Sequence, residues 1–356
     1  GTAGDSYSGN RTFTAAGLSP DSFHHYSYNE YANCGVDDYS DAYNVQYCDL
    51  SGLPDLCTEC SSTQSYLAGY VDMLAGLGVA GFRLDAAKHQ APGDLQAVLD
   101  RSSAYSSGDL YIVQEVIGAQ GEAVQPSQYL GIGDVTEFSY ATYLDQNIIN
   151  EGKMVYLQNF GEAWGLIESD KALAFLDNWD TQRNGQAQLT YKSGDLYNYA
   201  SVFALSWPYG LYRVMSSYYF TDTNAGPPST PVHSGASVNC ADGYTWVCEH
   251  RWTDIANMVR WRLVAGDADV ENWQVGNNNQ IAFSRNGAAF IAFNRDSYST
   301  WYASLQTGLP AGSYCDIMGN VNDNPATTCD SPYNVGQDGT VTLAMPPFSI
   351  VAFYRQ

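Results

Sequence analysis

Apolar and polar positions along the chain fall into two rhythms. Residues 63–77, TQSYLAGYVDMLAGL, place Leu67, Tyr70, Val71, Leu74 and Leu77 at helical spacing, which predicts an amphipathic helix. It feeds the apolar run Val79-Ala80-Gly81-Phe82, which passes into Arg83-Leu84-Asp85 and reads as a short buried strand. A helix follows over 91–101 with Pro92 in its first turn, where a missing N–H costs nothing. Further strands are predicted over 111–116, 175–177 and 209–215. Helical stretches are expected near 141–151, 169–173, 195–206 and 251–265, with an aromatic loop at 156–166. Alternation of strand and helix implies a parallel sheet of the α/β class. From about residue 267 the rhythm changes to short strands such as AAFIAFNR and TVTLAM between Gly, Asn and Asp turns, the pattern of an all-β domain. Residues 1–55 are rich in Gly, Ser, Asn, Asp and Tyr and read as an irregular, loop-heavy β module. The resulting division is 1–55, 56–266 and 267–356.

Charge narrows the partners. Fifteen Lys and Arg against 38 Asp and Glu give a net charge of -23. Phosphate binding needs a basic face, so neither nucleic acid nor an anionic membrane is expected as a partner. No apolar run approaches the roughly 20 residues of a membrane-spanning helix. The sequence opens on Gly1 rather than Met, which we read as a processed or truncated product. Twenty-eight Tyr and eight Trp can stack on sugar rings or fill cores. Eight cysteines suit an oxidised, secreted protein. Proximity pairs Cys34 with Cys48, Cys57 with Cys60, Cys240 with Cys248 and Cys315 with Cys329. The CxxC at Cys57–Cys60 could be a structural disulfide, a redox pair or half a zinc site.

The chemistry gathers at residues 79–89, VAGFRLDAAKH. Arg83 and Asp85, two apart on a strand, point to one side. A carboxylate beside an arginine stays ionised, which suits a nucleophile. The same pair could equally be a buried ion pair holding a strand end. Three segments then occur in order: GFRLDAAKH at 81–89, IVQEVIG at 112–118 and FLDNWDTQR at 175–183. Together they resemble the carboxylate-bearing segments of the α-amylase family, the retaining hydrolases of α-1,4-glucans. Flanking phrases extend the likeness over nearly the whole chain: GNRTF at 9–13, GLPDL at 52–56, VTEFSY at 135–140, RVMSSY at 213–218, WVCEHRW at 246–252 and LQTGLPAGSYCDI at 305–317. They look most similar to the animal-type, chloride-activated members.

The resemblance implies a (β/α)8 barrel, an irregular B-type module and a C-terminal Greek-key sandwich. It implies endo-hydrolysis of starch, glycogen and malto-oligosaccharides with retention, by a secreted monomer. Asp85 would be the nucleophile, Glu115 the acid/base, and Asp180 the carboxylate that braces the transition state. Calcium would take the Asp55 carboxylate and the backbone carbonyls of Gln46 and His89. Chloride would sit among Arg83, Asn178 and Arg213. Arg83, Lys88, His89 and Trp179 would meet the sugar, with apolar contacts from Leu50, Leu53 and Ile117. Three of the four cysteine pairs match family bridges, and Cys57–Cys60 has no counterpart. Trp179 stands where the family carries His, and Asn184-Gly185-Gln186 replaces a mobile Gly-His-Gly loop. Only about five barrel strands can be counted, and a barrel of eight cannot close with five. The family's first three strands are therefore expected to exist in the intact protein. A weakly active or non-catalytic glucan-binding relative, or an exo-acting or transglycosylating member, is the alternative.

Overall fold

The computed structural model describes residues 7–8, 11–13, 16–319, 329 and 332–355, so Gly9 and Asn10 of the GNRTF phrase lie outside it. The chain divides into two compact units, residues 1–136 with 171–173 and residues 137–170 with 174–356.

The first unit contains α1 (Ala42–Tyr47), α2 (Ser61–Gly76), β1 (Gly81–Leu84), α3 (Pro92–Asp100), β2 (Tyr111–Gln114) and the start of β3 (Asp134–Glu137). β1 pairs in parallel with β2, Phe82 opposite Ile112, and β2 in parallel with β3, Val113 opposite Asp134. Parallel neighbours need a crossover connection, and α3 supplies it between β1 and β2. Two disulfides, Cys34–Cys48 and Cys57–Cys60, tie down the loop-rich front of this unit. The buried Arg11 adds an ion pair to Asp49 at 2.7 Å.

Two expectations change here. β1 was expected to be buried, yet its residues are half-covered and Arg83 is exposed. The reason is its position: β1 stands at the end of its sheet and pairs only with β2 among the described residues. α2 forms where its spacing predicts, but Tyr70 and Leu77 of the apolar stripe are exposed.

The second unit opens with α4 (Phe138–Ile149) and continues through β4 (Ala172–Ala174), α5 (Trp179–Asn184), α6 (Asp195–Ser206), β5 (Leu211–Tyr212) and α7 (Thr253–Ala265). β4 begins in the first unit, next to β3 in the strand order. The helical stretch expected near 169–173 is a three-residue turn, Ser169–Lys171, followed by β4. The strand expected at 175–177 therefore lies three residues earlier. A continuous apolar run, Ala172-Leu173-Ala174-Phe175-Leu176, cannot locate a strand within itself. The strand expected over 209–215 shortens to β5, and the Arg213 N–H donates to the Ala174 carbonyl at 2.9 Å.

From Val270 the chain is antiparallel β: β6 (Val270–Val275), β7 (Gln280–Arg285), β8 (Ala289–Asn294), β9 (Trp301–Gln306), β10 (Gly312–Cys315), β11 (Pro332–Val335), β12 (Thr340–Met345) and β13 (Ser349–Tyr354). One sheet runs β6-β7-β8-β13, and β9 pairs with β12. Ala282, Phe290, Ala292 and Phe353 of the first layer pack with Trp301, Leu305, Val341 and Leu343 of the second. The opposite face of β7 and β8 meets helices: Phe203 of α6 lies 5.7 Å from Phe293, and the Trp261 indole of α7 donates to the carbonyls of Phe290 and Phe353. Covered on both faces, these strands carry the consecutive apolar residues 281–283 and 289–293 rather than a clean alternation. Cys240–Cys248 and Cys315–Cys329 are the remaining bridges. No helix among the described residues is long and apolar enough to cross a membrane.

Candidate active site

The first unit brings Arg83, Asp85 and Glu115 together just past the C-terminal ends of β1 and β2. Arg83 donates to Asp85 through Nη1, with 2.5 Å to Oδ1. Its Nη2 lies 2.8 Å from Glu115 Oε1. One guanidinium thus holds two carboxylates, the fork geometry for which arginine is suited. Glu115 is buried, whereas the Asp85 side chain is 76% exposed. The second Glu115 oxygen accepts the Ala86 N–H at 3.0 Å. Ala86 adopts φ 48°, ψ 30°, a left-handed conformation that costs a non-glycine residue roughly 1–2 kcal/mol. That turn aims its amide at Glu115. The cavity lined by Tyr105, Leu110, Tyr111, Ile132 and Asp134 lies at the opposite, N-terminal ends of β2 and β3, away from these carboxylates.

Other expected sugar contacts are more committed. Lys88 is buried: its ammonium binds the Ile117 carbonyl at 2.7 Å and Glu122 at 2.6 Å, and sits over the Tyr39 ring. It does not line open space, because an ammonium this far from water needs such partners. The His89 Nδ1–H donates to the Val45 carbonyl at 2.8 Å, and burial lowers its pKa. Leu53 and Ile117 are exposed, and Leu50 begins a three-residue turn, Leu50–Gly52.

The proposed calcium donors also belong to this unit. His89 is tied to α1, which carries Gln46, through its bond to Val45. The Gln46 carbonyl falls in the last turn of α1, where carbonyls have no intrahelical partner. Asp55 Oδ2 meets His24 Nδ1 at 2.7 Å, and His24 Nε2 meets Glu59 at 2.8 Å. Burial would lower the His24 pKa, but its two carboxylate partners outweigh it and the value is raised. Burial raises Asp55 despite His24. His24, Cys57 and Glu59 also cluster as possible ligands. The Cys57 sulfur is spent in a disulfide, so that set lacks a thiolate. His24 and Glu122 were not legible, because their partners lie 31 and 34 residues away.

Asp180, Trp179, Asn178 and Arg213 lie in the second unit. Asn178 caps α5: its Oδ1 accepts the Thr181 N–H at 2.8 Å, and the Asn178 N–H donates to Thr181 Oγ1 at 2.9 Å. This reciprocal box satisfies amides the helix cannot. It leaves Trp179 and Asp180 exposed in the first turn. The Arg213 guanidinium lies 5.1 Å from the Phe175 ring centre. Beneath them Asp177 accepts from Gln182 at 2.6 Å and from the Tyr197 hydroxyl at 2.9 Å. Burial still pushes its pKa up to about 7.

Residues 271–356 match the family model described as the C-terminal all-β domain of α-amylase. The chain is 45% identical over 334 residues to mouse pancreatic alpha-amylase 2a5, covering 86% of this chain and 65% of that protein. It is 42% identical over 354 residues to rat pancreatic alpha-amylase, covering 93% and 68%. Among solved structures it resembles wild-type alpha-amylase I from Eisenia fetida, with a TM-score of 0.88 and 35% identity over 100% of this chain and 77% of that one. A mutant of that enzyme with maltohexaose gives a TM-score of 0.89 at 35% identity, over 99% and 77%. The chain thus spans just under two thirds of the length of its mouse relative.

Proposed function

The chain belongs to the α-amylase family, and from that premise we propose that it serves endo-hydrolysis of α-1,4-glucosidic bonds with retention. The observation that carries this reading is the Arg83 fork joining Asp85 and Glu115. Retention needs two carboxyl groups about 5–5.5 Å apart, and carboxylates sharing one guanidinium are held on that scale. Asp85 attacks the anomeric carbon and forms a glycosyl ester. Glu115 gives its proton to the departing glycosidic oxygen, then takes one from the water that cleaves the ester. Arg83 sets a positive charge beside Asp85 for the first step, and its bond to Glu115 must open or be shared when Glu115 donates. Asp180 braces the positive charge that develops on the sugar.

The Asp55 carboxylate and the backbone carbonyls of Gln46 and His89 are the hard oxygen donors proposed for calcium; when bound, the ion would offset the charge of Asp55 and tie α1 to the turn after β1. Chloride is proposed on the family likeness alone, which would give it Arg83, Asn178 and Arg213, as a counter-charge to the arginines. Starch, glycogen and malto-oligosaccharides are the proposed substrates, secretion the proposed destination, and 1–55, 56–266 and 267–356 the proposed domains. The second reading, a weakly active glucan-binding relative, is favoured by Trp179, because losing one transition-state donor costs ~10²–10³ in rate. Release of reducing ends from starch tests both. Asp85→Asn and Glu115→Gln should each lose roughly 10²–10⁴ of the rate, and Trp179→His should raise it. Full activity in Asp85→Asn would remove Asp85 as nucleophile.

A further inference from the structure

Arg183 has no part in the chemistry above, yet its placement is specific. It follows Trp179 by four residues and so shares a face of α5 with it. Its guanidinium carbon lies 3.3 Å from the centre of the Trp179 ring, 4.1 Å from that of Phe220 and 5.3 Å from that of Tyr218. Nη1 donates to the Trp179 backbone carbonyl at 3.1 Å. Nε is buried without a partner, and no carboxylate pairs with Arg183 among the described residues. An arginine with no anion to neutralise is held here by aromatic planes, a contact that matches its flat, weakly hydrated cation.

The clamp acts on one indole only. The Tyr218 ring centre lies 5.4 Å from that of Trp179, so the indole is fixed by the guanidinium and by a tilted neighbour. It nonetheless remains 42% exposed. Its Nε1–H has no hydrogen-bond partner among the described residues. A rigid aromatic face with a free donor, next in sequence to Asp180, is suited to the apolar face of a pyranose ring and one of its hydroxyls.

We propose that Arg183 is a positioning residue that clamps Trp179 as a stacking platform for one glucosyl ring of an α-glucan. The proposal deepens the glucan-hydrolase reading and rests on it. A platform recognises the ring more by its flat face than by its hydroxyls. The subsite beside Asp180 should therefore lose less affinity for a ring lacking one hydroxyl than a site built from several donors would.

The test is ¹⁹F NMR of the 356-residue chain labelled with 5-fluorotryptophan, titrated with maltohexaose. Trp179 is assigned among the eight tryptophans by Trp179→Phe. The expected result is a single Trp179 resonance that moves with maltohexaose. In Arg183→Met it should broaden and move towards the free-indole position before sugar is added, the other seven staying in place, with affinity about tenfold lower. Arg183→Lys, which keeps the charge but not the plane, should recover only part of the affinity. An unchanged Trp179 resonance in Arg183→Met overturns the clamp. Movement of other resonances but not that of Trp179 overturns the platform and leaves the glucan reading standing. No movement at all on adding maltohexaose overturns both platform and glucan reading, while the sugar-free spectra still decide the clamp.

Discussion

The strands Ala289–Asn294 and Gly81–Leu84 both draw on apolar runs, but all six residues of the first are buried while the second is only half-covered and exposes Arg83. Ala289–Asn294 has paired neighbours on either side, β7 and β13, with layers on both faces. Gly81–Leu84 pairs on one side among the described residues. An apolar run therefore predicts that a strand forms, whereas its neighbours decide how much water it loses. The difference has a chemical side: the interior strand carries packing, and the outer strand leads to Arg83, Asp85 and their shared contact with Glu115.

The comparison can be broken first by truncation. Phe290→Ala empties the fully buried side of β8 and should cost about 3–5 kcal/mol in a denaturant melt. Phe82→Ala, on a half-covered strand, should cost less than half as much. Equal losses would mean that β1 is packed like an interior strand. Calcium removal comes next. If Asp55, Gln46 and His89 hold the ion, chelation should destabilise the first unit by about 2.7 kcal/mol relative to calcium at a hundred times its Kd. Asp55→Asn should erase that dependence, and a variant that still responds to calcium would place the ion elsewhere.

A smaller effect separates the regions by pH. Burial raises Asp316 to about 6, although it accepts the Met318 and Ala352 amides at 3.1 Å each. The folded state holds this proton more tightly than the unfolded chain, whose aspartates titrate near 3.9. Its contribution is thus fully present below about pH 4 and is lost as pH rises through about 6. Asp316→Asn should flatten the stability of the β domain across that window, and an unaltered profile would assign the slope to another group. The smallest effect is expected at Leu77, which is 79% exposed and follows the last residue of α2. Leu77→Ser should change stability by no more than about 0.5 kcal/mol, despite its place in the predicted apolar stripe.

The sequence carried the β domain well, because turn residues there separate short apolar runs one by one. It also carried the order of the three carboxylate segments. The register of β4 was hidden, since five consecutive apolar residues offer no period to read. The fate of Lys88 was hidden for another reason: its partners Glu122 and Ile117 reach it only through the fold. Likewise nothing local announces that His24 bridges Asp55 and Glu59. The Arg183 clamp is the opposite case, for the four-residue spacing from Trp179 was visible and its use was not. All four disulfides join cysteines between 3 and 14 residues apart, which is why proximity alone could pair them.

The most direct test of the central claim is ¹H NMR of the anomeric protons while the chain acts on maltohexaose, beside Asp85→Asn and Glu115→Gln. Internal cleavage is expected, with new reducing ends that appear first as the α-anomer and no such signal in either variant. New ends that appear first as the β-anomer, or equal cleavage by Glu115→Gln, would contradict it.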